Sequence, residues 1–281
     1  MAQRGPRHLW TDACGVVLLV SLYRAWRQPR YLEAAEQVVA DVQRVLGRPL
    51  GLRSAEGLAG QSFRHLALWA YALGCLGQHR PAYRERAVAL LRDVHPRFVV
   101  PAQGVYATLR DDLSGPLAGS GFGALEPFLG YVLYRWLDAQ ALAREIAELQ
   151  ALVEGCFTTV RLHRDLELGL MLWLTHFFPT EAWAHTQCHY ALEGLEPLWV
   201  DPPGYFCREP HRREETLALS NYVVSLGLQA VGRFPDRVAK LHVFFGASRG
   251  RNPADAATGV MACVAHFPGA FVQPLAEAVH V

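Results

Sequence analysis

LWTDACGVVLLVSLYRAW, residues Leu9–Trp26, followed by YLEAAEQVVADVQRVLG, residues Tyr31–Gly47, decides the fold class. The first stretch is apolar nearly all round, the pattern of a helix covered on every side. The second carries apolar residues at spacings of three and four with charges between them, so it buries one stripe and wets the other. Only Arg27 to Arg30 lies between, with Pro29 as a helix stop.

The same couple recurs along the chain. Apolar stretches begin at Gln61 (QSFRHLALWAYALGCLG), Gly121 (GFGALEPFLGYVLYRWL), Asp165 (DLELGLMLWLTHFF), Thr216 (TLALSNYVVSLGLQAVG) and Ala257 (ATGVMACVAHF). Amphipathic partners begin at Ala82, Ala141, Glu181 and Asp236, and a sixth is stunted, from about Gln273 to Val281. An all-helical chain of about six hairpins is expected, with inner apolar and outer amphipathic helices. With 281 residues, 51% hydrophobic and 19% charged, it can bury a large core, and the unbroken alternation predicts one domain over 1–281.

Hairpins of this kind stack as an open solenoid or close into a ring; inner helices this apolar leave no polar flank for a solenoid to expose. Six of them resemble the (α/α)6 toroid of six-hairpin glycosidases and of the N-acylglucosamine 2-epimerase superfamily, over about Leu9 to Val281. The resemblance implies an (α/α)6 barrel with its sixth hairpin truncated, and raises carbohydrate chemistry as an expectation.

A net charge of +1 gives no electrostatic case for nucleic acid or an anionic membrane. The apolar run Ala13 to Leu22 is too short to span a bilayer and follows Asp12 within a helix, unlike a signal peptide. Six cysteines without a CxxC pair read as reduced thiols, and a cytoplasmic location is expected. The glycines Gly115, Gly119, Gly121 and Gly123 lack the βαβ context of a nucleotide fingerprint, and HTQCH at His185 to His189 lacks the glutamate of HExxH. No cofactor and no metal are expected.

Loop lengths separate the two ends of the hairpins. Inner-to-outer turns are short, whereas outer-to-inner connections are long: Gly47 to Gly60, His95 to Ser120, Cys156 to Arg164, Trp199 to Glu215 and Gly250 to Ala256. The long ones emerge where each inner helix begins, so that end is the expected working face. Polar residues cluster in those first turns: Trp10, Thr11 and Asp12; Gln61, Ser62, Arg64 and His65; Glu126; Asp165 and Glu167; Ser220, Asn221 and Tyr222.

From this set Glu126 or Asp12 is the candidate acid or base, with His65 as proton-transfer partner because a free imidazole titrates nearest neutrality. Candidate substrate contacts are Trp10, Arg64, Asn221 and Tyr222. The longest loop adds Tyr106, Arg110 and Asp112, where VYATL is expected to form a hairpin-like flap; the Pro202-Pro203-Gly204 turn adds Tyr205, Arg208 and Glu209. Thr11, Asp12, Asp165 and Glu126 equally suit helix N-termini as charge complements, and His65 equally suits a satisfied core. His176 and His266 fall at the short-turn end and are expected to be structural.

The function expected is that of a carbohydrate-active enzyme, isomerase-like, epimerase-like or glycosidase-like, acting on a small molecule, with a sugar as the candidate substrate. Two alternatives stay open: a non-catalytic binding or scaffold ring, and a lyase or isomerase of terpenoid-like substrates. Hydroxyl-binding side chains at the mouth favour the sugar, an apolar cavity the isoprenoid.

Overall fold

The structure, a computed structural model, describes residues 6–201, 204–206, 214–248 and 256–272. Among these the helices alternate as the sequence predicts, in two compact units, Met1–Gly155 and Cys156–Val281. The stunted sixth partner from Gln273 lies outside the described residues, as do Cys207, Arg208 and Glu209 and the side chain of Tyr205.

In the first unit the inner helices are α1 (Leu9–Trp26), α3 (Phe63–Gly77) and α5 (Glu126–Asp138), and the outer ones α2 (Arg30–Leu46), α4 (Ala82–Phe98) and α6 (Ala143–Cys156). α3 packs on both α1 and α5 and is almost wholly buried. Its approach to α5 depends on Gly74, where a Cβ would come within 2.6 Å of the Trp136 ring. Tyr71 meets the same indole at 4.5 Å between centroids.

Two helix boundaries differ from the sequence reading. α4 runs on through Pro96 to Phe98. A proline in the last turn forfeits one backbone bond, and burying Phe98 completely offsets that loss. α5 starts at Glu126 with Pro127 in its first turn, five residues later than the apolar pattern suggests. The glycine-rich Gly121 to Gly123 uses its backbone elsewhere: Ala107 N–H donates to Gly121 O and Gly123 N–H to Val105 O, both at 2.9 Å.

The hairpin-like flap expected at VYATL is a segment stitched by short antiparallel pairings. Strand β1 (Gln61–Ser62) enters α3 directly, in place of the helical turn expected there. β2 (Val99–Val100) pairs antiparallel with β3 (Gly104–Val105), forming a tight hairpin at the end of α4, and β4 (Thr108–Leu109) pairs antiparallel with β1. Bridges Tyr106 to Phe122 and Leu109 to Pro116 close the rest.

In the second unit, α7 (Asp165–Thr175), α9 (Glu214–Ala230) and α11 (Ala256–His266) pack together, with α8 (Ala182–Leu195) on α7 and α10 (Pro235–Ser248) on α9. α7 and α9 touch backbone to backbone. A Cβ on Gly169 would stand 2.7 Å from Val224 Cα, and one on Gly227 would stand 2.2 Å from Gly169 O. β5 (Trp199–Val200) and β6 (Tyr205–Phe206) form a two-stranded hairpin before α9. Among the described residues no helix is long and apolar enough to cross a membrane, and the five described cysteines are free thiols.

Candidate functional site

The first unit gathers the starts of its three inner helices at one end, and the long loops hold them there. Leu9 N–H, an orphan donor at the start of α1, is taken by Ser54 O at 2.9 Å; Ser54 Oγ accepts Ser62 N–H at 2.8 Å just before α3. Phe63 N–H, at the start of α3, donates to Ala107 O at 3.0 Å.

Asp111 locks the two loops together. It accepts a bidentate Arg53 guanidinium and the Gly60 N–H at 2.8 Å, while its carbonyl accepts the Gln61 amide at 2.7 Å. The hydrogen bond from Arg53 holds the Asp111 carboxyl below the usual carboxylate range. The linking roles of Ser54 and Asp111 are not visible in the sequence, because each acts through backbone groups of distant segments that no spacing reveals.

On this frame sits a fixed ion pair. Glu126, 2% exposed, receives Arg64 Nε at 3.2 Å and a terminal nitrogen at 2.9 Å on one oxygen. Its other oxygen lies where a Cβ on Gly123 would be, 1.8 Å away, so only glycine fits there. The pair joins the first turns of α3 and α5 and sets both side chains in a single geometry.

Beside it His65, next to Arg64 in the first turn of α3, meets His8 at 5.1 Å and Trp10 at 6.0 Å, edge to face. His8 Nδ1, Trp10 Nε1 and His65 Nδ1 are buried atoms without a protein hydrogen-bond partner. Desolvation, with the nearby His8 and the Arg64 charge, pulls the His65 pKa down to about 3; burial lowers that of His8 as well. The neutrality that makes a histidine attractive in a sequence therefore does not survive these surroundings. At neutral pH His65 is an uncharged hydrogen-bonding group of low basicity.

Asp12 faces elsewhere. Its Oδ1 accepts Arg7 at 2.7 Å, and Arg7 also binds Asp41 of α2 at 2.8 Å, which Arg44 joins at 3.0 Å. Burial raises the Asp12 pKa and Arg7 opposes it. This network ties α1 to α2, on the outer side.

Tyr106 stacks on Phe122 at 4.6 Å and 30°, at the rim beside Gly123. Arg110 and the exposed Asp112 shape the turn beyond: Arg110 N–H donates to Gly115 O at 2.9 Å, and Asp112 accepts both the N–H and the hydroxyl of Ser114.

In the second unit Asn221, fully buried, clamps one residue of β6: its Oδ1 accepts Phe206 N–H at 2.5 Å and its amide donates to Phe206 O at 2.9 Å. Tyr222 is equally buried, among His242, Phe245 and His266. His176 and His266 do stand at the C-terminal ends of α7 and α11. The His176 imidazole bonds the Trp173 carbonyl, and His266 lies 4.2 Å from His242, itself bonded to Ser225 at 2.6 Å. His185 and His189 are exposed on outer α8, as expected of a solvated face.

The structure thus brings Trp10, His65 and His8 together, pairs Arg64 with Glu126, and joins the two groups through the neighbouring residues Arg64 and His65 of α3; Tyr106 stands with Phe122 in the loop before Glu126. It assigns Asp12 to a brace and Asn221 to a backbone clamp. His8 was legible only as the residue before α1.

No family model matches the chain, and no curated protein matches it by sequence. Solved structures do. A cellobiose 2-epimerase from Spirochaeta thermophila superposes with a TM-score of 0.64 at 14% identity, covering 94% of this chain and 86% of that one. A GH76 α-mannanase from Bacteroides thetaiotaomicron gives 0.67 at 10% identity with the same coverages, and a sugar epimerase from a ruminal bacterium gives 0.63 at 11%, covering 95% and 89%. The chain therefore has the fold of the (α/α)6 six-hairpin enzymes, as its repeat implies.

Proposed function

We propose that this protein is a carbohydrate-active enzyme that moves a proton at the carbon next to a sugar carbonyl, an isomerase or epimerase working as one domain over 1–281. The observation that carries this is the set of buried nitrogens of His8, Trp10 and His65 left without protein partners beside the fixed Arg64–Glu126 pair. Unmatched buried polar atoms are costly, and a hydroxyl-rich ligand offers both donors and acceptors to satisfy them. An apolar terpenoid does not. The sugar-acting proteins of the same fold support the reading.

Glu126 is the proton carrier. The carbon–hydrogen bond next to the carbonyl breaks, the proton passes to the Glu126 oxygen that Arg64 does not bind, and the electron pair moves onto the carbonyl oxygen. His65, neutral and at a helix N-terminus, polarises that oxygen by donating a hydrogen bond, which an imidazole of depressed pKa does without first losing a proton. Arg64 holds Glu126 in place, and Trp10 and His8 bind hydroxyls. Return of the proton gives the isomer. The proton-transfer reading is preferred over glycoside hydrolysis because hydrolysis asks for two carboxylates across one bond. In this unit Asp12 is tied through Oδ1 to Arg7, which also holds Asp41 of outer α2, and Asp111 and Asp112 are tied to their loops, whereas Glu126 stands in the first turn of inner α5.

Incubation with glucose, mannose, N-acetylglucosamine and cellobiose in D2O, followed by NMR, tests this. Deuterium is expected at the carbon beside the carbonyl of at least one sugar, and its loss in Glu126→Gln. Cleavage of mannan or aryl glycosides without exchange refutes proton transfer in favour of hydrolysis. Absence of both exchange and binding refutes the carbohydrate reading.

A further inference from the structure

Phe122 is a large aromatic side chain left 45% exposed, yet it is one of the most firmly held residues of its loop. The carbonyl before it accepts Ala107 N–H and the amide after it donates to Val105 O, both at 2.9 Å. Its ring lies on Gly104, where a Cβ would come within 2.9 Å of it, and stacks on Tyr106, just past β3 and bridged to Phe122. Gly104 and Tyr106 are two residues apart, the spacing that puts contacts on one side of an extended segment. The remaining exposed area belongs to a flat apolar surface in a fixed orientation. Among the described residues the other exposed rings, Trp26 and Phe234, stand at the short turns after α1 and before α10, away from the starts of the inner helices, and Leu58 and Val243 present no ring; such residues need no special account.

Position gives Phe122 its meaning. Gly123, next in the chain, is the residue against which the Glu126 carboxylate rests. Glu126 is four positions on from Phe122, a span of at most about 14 Å for a fully extended chain and less for one that enters a helix. A ligand of two or more rings that begins at Arg64–Glu126 is long enough to reach Phe122.

We propose that Phe122, backed by Tyr106, is a stacking platform for a second sugar ring, so that the substrate is a disaccharide or longer rather than a free monosaccharide. The apolar C–H face of a pyranose packs on an aromatic plane while its hydroxyls stay in water, which suits a half-exposed ring at a rim. The inference rests on the carbohydrate reading above and specifies its substrate.

Calorimetric titration of the full chain with glucose, mannose, cellobiose and mannobiose tests it. The wild-type protein is expected to bind one of the disaccharides more tightly than either monosaccharide. Aromatic stacking of this kind supports a roughly three- to tenfold loss of disaccharide affinity in Phe122→Ala, with monosaccharide affinity unchanged. Phe122→Leu, which keeps Gly104 covered but removes the plane, is expected to lose the same factor at an unchanged melting temperature. Phe122→Trp is expected to bind at least as tightly as wild type. Disaccharide affinity unaltered in Phe122→Ala and Phe122→Leu overturns the platform and leaves the enzyme reading intact. Failure of the wild-type protein to bind any of the four sugars overturns both.

Discussion

Lowering the pH from about 7 to about 5 should weaken the folded protein, and His65 should account for a measurable share. Burial, His8 and Arg64 lower its pKa from 6.5 to about 3 in the native state. The unfolded chain frees the imidazole to its ordinary value. Below about pH 6.5 the unfolded state therefore takes up a proton that the folded state refuses, and stability falls until the folded pKa is reached. At about pH 5 the gap is roughly 1.5 pH units, worth about 2 kcal/mol at 1.36 kcal/mol per unit. The imidazole is only partly covered, which trims this to about 1–2 kcal/mol. His65→Gln removes the term.

Urea denaturation of both proteins at several pH values reads the comparison. Wild type should lose about 1–2 kcal/mol more than His65→Gln between the two pH values. His176 and His242, each lowered to about 4, are present in both proteins and cancel in the difference. Parallel pH profiles for the two proteins would show that His65 is solvated or ion-paired, and would refute its role as a neutral hydrogen-bond donor in the site.

Gly123→Ala should displace the Glu126 carboxylate, since the added Cβ falls 1.8 Å from its oxygen; activity should drop by more than tenfold with a melting-temperature change of only a few degrees, and unchanged turnover would mean that Glu126 is not the proton carrier. Asn221→Ala should cost about 2–4 kcal/mol, because it strands the buried N–H and C=O of Phe206 together, and chemical denaturation reads the loss directly.

The fold was legible because it is written in a long-range repeat. Among the described residues eleven helices of alternating character fall close to where apolar and amphipathic patterns place them, and proline or glycine marks most short turns. The misplacements have local causes. Gly121 to Gly123 looked like the start of an apolar helix, but residues with no side chain to bury are free to satisfy a neighbouring strand. VYATL looked like a flap because alternation reveals a strand without naming its partner.

The site was legible only in part. Trp10, Arg64, His65 and Glu126 were identifiable as polar or amphipathic residues on helices that otherwise admit few. Position along a helix does not reveal which way a side chain turns: Asp12 goes outward to Arg7 and Asp41, and Asn221 goes to a strand. A histidine's letter carries its solution pKa, whereas its burial emerges only from packing. His8 and Phe122 escaped notice because each lies in a connection, one before α1 and one before α5, where no periodicity applies.

The stitched loop between α4 and α5 divides what can vary from what cannot. Its anchored parts, β3, β4 and the glycines before Glu126, are bonded to α3, to the α2–α3 connection or to one another, so a change of length there would drag Glu126 with it. Its tips, Pro101 to Gln103 and Ala118 to Gly119, are exposed, while Leu117 and Ser120 on either side of the second are both bonded to Thr108 of β4. Insertions at the tips can lengthen or reshape the rim while the Arg64–Glu126 pair keeps its place. Under the proposed function, a scaffold arranged in this way lets sugar preference drift under selection while the proton-transfer residues keep their places.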